Sequence, residues 1–237
     1  MFIGHHAAAF AAKRVAPRVS LGTLFAAATL LDLIWPLLLL AGIEHVRIAP
    51  GATKFTPLDF YDYPISHSLL MVLGWSVAAA VVYALARKSW RDAAIVGAAV
   101  ASHWVLDFVT HRPDLPLWPG GPRAGLGMWN SVALTIAIEG AMFIAALMLY
   151  LRGTSARDRT GSIALWALVV FLAVIYIANV TSPPPPNTTA ITWGALAGWL
   201  FVPWAAWIDR HRRMRASRPS SSSTSAPEKS ASSTSGS

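Results

Sequence analysis

The sequence predicts an all-α fold: a polytopic membrane helix bundle with six transmembrane helices and an N-terminal half-helix. Hydrophobic residues make up 55% of the 237 residues and charged residues only 13%, about half of the roughly 25% that is usual in soluble domains. Six apolar stretches reach the length of about 20 residues that a helix needs to cross the hydrocarbon core. The Lys and Arg residues also concentrate in alternate connections between these stretches. Together these observations indicate a chain that crosses a membrane several times.

The predicted spans follow one another along most of the chain. They cover residues 20–41, 65–86, 90–109, 130–151, 162–180 and 189–208. We therefore expect three parts: a half-helix at 1–19, a six-helix transmembrane domain that carries the site at 20–208, and a cytoplasmic tail at 209–237. The tail is basic and Ser-rich, and it is predicted to be disordered because it has too few large apolar residues to form a core.

The segment that precedes the first span, "MFIGHHAAAFAAKR", is apolar but too short to cross a bilayer. It could lie on the cytoplasmic surface as an amphipathic helix, or it could dip into the bundle with His5 and His6 at its buried end. A surface helix would distribute basic residues along one face. Here Lys13 and Arg14 stand together at one end, which favours the half-helix that dips inward.

The basic residues predict how the chain is oriented. Of the 19 Lys and Arg residues, 15 lie in the N-terminal segment, the second and fourth connections and the tail, and 4 lie in the first and third connections. The positive-inside rule then places both termini in the cytoplasm. Because the charges form short clusters between apolar runs, they do not predict nucleic acid as a partner. The expected partner is membrane lipid.

Cysteine chemistry is excluded, since the sequence contains no cysteine. A disulfide framework, a thiolate metal site and a cysteine nucleophile are therefore impossible. Any metal would have to be held by His nitrogens and carboxylate oxygens. Such a set is more typical of a catalytic site than of a structural one.

The stretch "SHWVLDFVTHRPDLP" places ionisable residues where lipid is expected. His103, Asp107 and His111 are spaced by four residues and therefore lie on one helical face. Such groups cost several kcal/mol in the hydrocarbon region unless they are paired or bind a metal. The sequence therefore predicts a compensating partner.

Other spans place ionisable residues at a similar depth. At about 1.5 Å per residue, Asp32, His103 and Glu139 lie roughly 18–20 Å from the cytoplasmic boundary. His67 lies near the outer end of its span. We therefore predict a divalent cation, zinc first and manganese or iron as alternatives, because it would neutralise this cluster and activate a water molecule.

Three sets of site residues follow. The predicted metal ligands are His6, Asp32, His67, His103 and Asp107. The predicted catalytic residues are Asp107, Glu139 and His111. The predicted substrate-binding residues are Arg112, Asp114 and Arg123. Each also has a structural alternative, such as an intrahelical pair for His103 and Asp107 or a protonated, hydrogen-bonded acid for Glu139.

Two motifs carry a family resemblance. "PISHSLL" at 64–70 followed by "ASHWVLDFVTHRPDLPLWP" at 101–119 resembles the bacterial inner-membrane family called metal-dependent hydrolases. The resemblance covers residues 4–119 and implies a site built from an N-terminal His, an Asp in the first span and the two His-containing motifs. On this chain those positions are His5 or His6, Asp32, His67, His103 and Asp107.

The chain also departs from that family's pattern. Many relatives carry an Asp-x-Asp-His element where this sequence reads "LDLIWP". One expected carboxylate and one expected His are therefore missing. Glu44 and His45, which follow twelve residues later, are the candidate replacements.

The leading functional hypothesis is a multi-pass bacterial inner-membrane hydrolase that uses a metal-activated water on an ester or phosphoester, with a lipid-like substrate at the outer leaflet. The main alternative is a transporter or ion or proton pathway, because buried His, Asp and Glu also mark such pathways. A membrane di-iron oxygenase would need about eight His, more than this chain offers. A scaffold with a structural metal is the fourth hypothesis.

Overall fold

The structure is a computed structural model, which describes residues 1–215. Ten α-helices lie within this part of the chain, and two short 3₁₀ helices lie at Met128–Asn130 and Ala197–Leu200. The helices are α1 Ile3–Val15, α2 Leu21–Ala28, α3 Leu30–Leu40, α4 Pro64–His67, α5 Leu69–Arg87, α6 Trp90–Thr110, α7 Val132–Gly153, α8 Arg159–Thr181, α9 Thr188–Leu196 and α10 Phe201–Arg210. This architecture confirms the predicted helix bundle.

Three short antiparallel strand pairs complete the described fold. They are β1 His45–Ile48 with β2 Leu58–Asp62, β3 Leu115–Pro116 with β4 Arg123–Ala124, and β5 Thr154–Ala156 with β6 Arg212–Met214. The first two pairs lie in the long connections after α3 and α6. The third joins the connection after α7 to the segment after α10.

Five segments are long and apolar enough to cross a membrane: α5, α6, α7, α8 and the continuous stretch Thr188–Arg210. The pair α2 and α3 makes a sixth span if its two bent halves are counted together. Within the described residues the helices therefore give five or six candidate spans, and the predicted number of six requires that this pair, bent by 58°, is one span.

The bend in the first span lies at Thr29, seven residues before Pro36. Thr29 separates α2 from α3, and its hydroxyl donates to the Phe25 carbonyl oxygen at 2.8 Å. A threonine hydroxyl that bonds back to the preceding turn is a known cause of helix bending. The break matters because α2 ends at Ala28, next to the candidate site.

Helix α1 lies inside the bundle and not on a membrane surface. His5 and His6 are 1% and 3% exposed, and Phe10 is fully buried against Phe25 and Phe143. At its other end Lys13 donates to the Val19 carbonyl oxygen at 2.7 Å and pairs with Asp209 at 2.8 Å. Of the two arrangements that the sequence left open, the structure has the half-helix that dips inward.

Residues 209–215, which the sequence assigned to a disordered tail, belong to the folded part. Arg212 is only 7% exposed, and its guanidinium donates to Thr154 Oγ1 at 3.0 Å. The β5–β6 pairing therefore fixes this segment against the end of α7. The rest of the predicted tail, residues 216–237, lies outside the described residues.

The connection after α3, residues 41–63, covers one end of the bundle and is called the roof below. Phe55 stacks on Trp129 with ring centroids 6.1 Å apart, and its backbone N–H donates to the Trp129 carbonyl oxygen at 3.0 Å. Asp59 on β2 pairs with both Arg47 and Arg112. These contacts hold the β1–β2 hairpin close to the end of α6.

Candidate functional site

Five predicted or alternative metal ligands meet in the interior of the bundle. They form two groups that share His103, and within each group the ligand atoms lie within 4.8 Å of one another. The groups are His5, His103 and Asp107, and Asp32, His67 and His103. Helices α1, α3, α4 and α6 supply these side chains, so segments that are far apart in the sequence converge as the depth estimates predicted.

His103 lies at the centre of the cluster and is fully buried. Its Nδ1 lies 2.9 Å from the carbonyl oxygen of Ala28, the last residue of α2. Because a carbonyl oxygen can only accept, Nδ1 carries the proton and Nε2 has a free lone pair. That nitrogen faces two carboxylates, 3.1 Å from Asp107 Oδ2 and 3.6 Å from Asp32 Oδ1.

His67 is oriented by a chain of hydrogen bonds. Its Nδ1 lies 2.6 Å from Ser66 Oγ, and the Ser66 hydroxyl donates to Glu44 Oε2 at 2.6 Å. The hydroxyl proton is thus engaged, so His67 Nδ1 is the donor to Ser66. Nε2 of His67 is then free for the cluster, 3.6 Å from Asp32 Oδ1 and 3.9 Å from Asp107 Oδ2.

The N-terminal histidine in the cluster is His5. Its Nε2 lies 3.1 Å from Asp107 Oδ1, and its ring stacks on His103 with centroids 3.6 Å apart. His6, which the sequence favoured, lies outside both ligand groups. Adjacent helical residues point about 100° apart, so α1 directs His6 toward Phe25 and Phe201 instead. The structure therefore reverses the preference for His6.

The cluster has the chemistry of a cation site. Two imidazole lone pairs face two carboxylates, and Nε2 of His103 has no hydrogen-bond partner within residues 1–215. The amino group of Met1 donates to Asp107, which supplies one positive charge against two negative ones. A divalent cation fits this donor set, because neutral His nitrogens and carboxylates are the ligands that zinc, manganese and iron accept. The holding residues would be His5, Asp32, His67, His103 and Asp107.

His111 forms a separate pair at the C-terminal end of α6. Its Nδ1 donates to Asp114 Oδ1 at 2.9 Å, and the Tyr63 hydroxyl donates to the same oxygen at 3.1 Å. Burial lowers the pKa of His111, so its imidazole is neutral near pH 7, and Nε2 can accept a proton. Burial, together with the charge of Asp114, raises the pKa of Tyr63, which keeps its proton. This arrangement suits a general base oriented by a carboxylate.

The predicted substrate-binding residues are engaged in contacts of their own. Arg112 pairs with Asp59 and, at 3.1 Å, with Asp114 Oδ2. Arg123 donates to the Tyr61 carbonyl oxygen at 2.7 Å, and Asp114 is shared by His111, Tyr63 and Arg112. These contacts connect the roof to the end of α6 and to the segment that follows it. The spacing of these residues in the sequence did not predict their partners.

Glu139 lies beside α1 and not in a ligand group. Its Oε2 accepts from the backbone N–H groups of Phe2 and Gly4, at 3.0 and 3.3 Å. A carboxylate at this position satisfies free N–H groups of the helix start and interacts well with the positive end of the helix dipole. These hydrogen bonds give Glu139 a part in positioning α1, and its predicted catalytic role stays a prediction.

Glu44 and His45 do not supply the missing ligands of the family pattern. Glu44 is buried and accepts from the N–H groups of Ile65 and Ser66, at 2.7 and 2.8 Å. His45 is half-exposed and pairs with Asp62 at 2.8 Å. Glu44 therefore acts through Ser66 on His67, a role that sequence reasoning missed.

A cavity of about 770 Å³ reaches the cluster. Asp32, His67, Asp107 and His111 all line it, and the Asp32 side chain is 45% exposed toward this space. The ligand cluster and the His111–Asp114 pair therefore share one chamber. Reagents bound there could contact both.

The comparisons with known proteins give a family and no close relative. The searches of curated proteins and of solved structures each found no match. The family profile described as YdjM inner membrane protein matches residues 1–183. This match, with the apolar helices, identifies a multi-pass protein of the bacterial inner membrane. Because it covers more than half of the chain, the protein belongs to the YdjM inner membrane protein family.

Proposed function

We propose that the protein is a membrane-embedded, metal-dependent hydrolase that cleaves an ester or phosphoester of a lipid-like substrate. The observation that carries the proposal is the orientation of His67 and His103, whose Nδ1 atoms are engaged while Nε2 faces Asp32 and Asp107. Metal-binding His residues typically donate their second nitrogen in this way. The cofactor is a divalent cation, with zinc first, and manganese or iron as alternatives.

When bound, the cation would act as a Lewis acid and lower the pKa of a water molecule toward about 7. His111 Nε2 accepts the proton of the attacking water, and the water oxygen forms a new bond to the carbonyl carbon or phosphorus. The bond to the leaving oxygen breaks, and the proton on His111 passes to that oxygen. Asp114 holds the imidazole in the tautomer that permits this transfer.

The aromatic packing between the ligand cluster and the Lys13 end of α1 favours hydrolysis over transport. A transporter needs a polar path on the cytoplasmic side of the site. Here the next turns of α1 bury Phe10 against Phe25, Phe143 and Tyr150, with ring centroids 5.1–6.0 Å apart. This aromatic layer separates the cluster from the Lys13–Asp209 pair.

Hydrolysis of a small soluble substrate tests the proposal. Purified protein with added zinc is assayed with 4-nitrophenyl acetate and bis(4-nitrophenyl) phosphate, before and after chelation. We expect chelator-sensitive hydrolysis of at least one, and a loss of about 100-fold or more in kcat for His111→Ala with metal content retained.

His45→Ala is the matched control, since His45 is another paired histidine of the outer connections but lies outside the cavity lining. Its activity should equal that of the unmodified protein. Hydrolysis that is indifferent to chelator would contradict the function, and unchanged activity in His111→Ala would contradict the assigned base.

The proposed orientation places both termini in the cytoplasm. It is supported by the 15 Lys and Arg residues of the N-terminal segment, the second and fourth connections and the tail. A cytoplasmic fluorescent reporter fused after Arg215 should fold and fluoresce, and a phosphatase that requires the periplasm should be inactive there. The reverse pattern would overturn the orientation and place the roof on the cytoplasmic side.

A further inference from the structure

The cavity beside the cluster is mostly apolar. Its polar end carries Asp32, His67, Asp107 and His111, and the remainder is lined chiefly by aliphatic and aromatic side chains of α3, α8, α9 and α10. Its volume of about 770 Å³ falls in the range of roughly 300–1,000 Å³ that is typical of ligand sites. A ligand that fills it must therefore combine one polar group with a large hydrocarbon part.

The cavity opens sideways, between α8 and α9. The exposed residues of its lining come from the outer half of α8, the loop after it, α9 and the following 3₁₀ helix. They are Phe171, Ala178, Asn179, Ser182, Pro183, Ala190, Gly194, Ala197 and Leu200. Since α8 and the stretch Thr188–Arg210 are candidate membrane spans, the part of the opening that these helices line faces the hydrocarbon region.

The outer water side of the cavity is covered by the roof. Phe55, Phe60 and Trp129 all line the cavity, and both phenylalanines pack on Trp129 with ring centroids 6.1–6.2 Å apart. The ion pair between Arg112 and Asp59 holds this hairpin in place. The roof thus covers this side of the cavity, whereas the opening between α8 and α9 is accessible to a molecule dissolved in the bilayer.

We infer that the cavity binds the hydrocarbon chain of a membrane lipid, which enters laterally between α8 and α9 and places its ester at the ligand cluster. The placement of the ester rests on the proposed function, whereas the binding of the chain does not. Gly194 is the test position, because it lines the opening and a Cβ added there meets nothing within 4 Å, so that a large side chain would project into the opening.

The test uses a phospholipid that carries a photoactivatable diazirine in its acyl chain, in vesicles containing the protein. The variants are Gly194→Trp and, as the matched control, Gly74→Trp. Gly74 is an exposed glycine of α5, and a Cβ added there also meets nothing within 4 Å. We expect light to label cavity peptides of α3 and α8 in the unmodified protein and in Gly74→Trp, and Gly194→Trp to lose that labelling.

Equal cavity labelling in the two variants would overturn the inference, as would labelling confined to the outer faces of the helices. Metal content and hydrolysis of the soluble ester are measured on the same samples. Cavity labelling in a protein that binds no metal supports the lipid chain and contradicts the hydrolase. Metal-dependent hydrolysis of the soluble ester without cavity labelling supports the hydrolase and overturns the lateral site.

Discussion

Replacing Asp107 by Asn is expected to abolish stoichiometric metal binding. Its two carboxylate oxygens lie 3.1 Å from His5 Nε2 and from His103 Nε2, so this one side chain contacts two of the other proposed ligands. Loss of a residue that only orients a ligand typically costs about 10–100-fold in affinity, and we expect a loss of more than about 100-fold here. The zinc affinity is measured by removing the metal with a chelator and titrating zinc back into the metal-free protein.

Asp92→Asn is the control for this substitution. Asp92 lies on the same helix, α6, and its backbone N–H and carboxylate bond Ser89 at the helix start, away from the cluster. This variant should bind zinc as the unmodified protein does. Zinc affinity in Asp107→Asn within a few-fold of that control would remove Asp107 from the site.

His5→Ala is expected to weaken metal binding by about tenfold or more, and His6→Ala by much less. Nε2 of His5 reaches Asp107 at 3.1 Å, while Nδ1 of His6 bonds the Phe2 carbonyl oxygen at 3.1 Å. The two positions are adjacent on one buried helix. Each variant is therefore a control for the general effect of replacing a buried histidine of α1 by alanine.

The affinity comparison must be made on folded protein, since His6 packs against Phe25 and Phe201 with ring centroids 5.3 Å apart. Loss of the His6 ring is expected to lower the unfolding temperature and to leave the zinc affinity nearly unchanged. A larger affinity loss in His6→Ala than in His5→Ala would restore the ligand that the sequence favoured. Equal affinity in both variants and the unmodified protein would leave the site to the other four residues.

The convergence of Asp32, His67, His103 and Asp107 could be predicted from the sequence, because helical rise converts position in a span into depth. A fixed spacing of four residues also placed His103 and Asp107 on one face. These arguments need only regular helices and a membrane boundary. They hold here because α6 is continuous from Trp90 to Thr110.

The choice between His5 and His6 could not be predicted in the same way. It depends on the rotation of α1 about its axis, and an Ala-rich helix buried on most sides has no polar face that would reveal it. Glu139 had the expected depth but a different partner, the start of α1. The position of a residue in its span predicts its depth in the membrane. Which side chains at the same depth come into contact depends on how the helices rotate and pack.

The role of Glu44 was also outside the reach of the sequence. It acts on His67 through Ser66 only because the β1–β2 hairpin folds back over the start of α4. The broken first span is a similar case: the chain breaks at Thr29, seven residues before Pro36. That break leaves the Ala28 carbonyl next to His103.

The metal content of the purified protein tests the central claim most directly. Protein extracted in mild detergent without chelator is analysed by elemental mass spectrometry, as isolated and after zinc add-back and desalting. The proposed cluster predicts at least one tightly held divalent first-row metal per chain, which is absent from Asp107→Asn. The metal centre would be contradicted if the metal content stayed substoichiometric after zinc add-back and equalled that of Asp107→Asn.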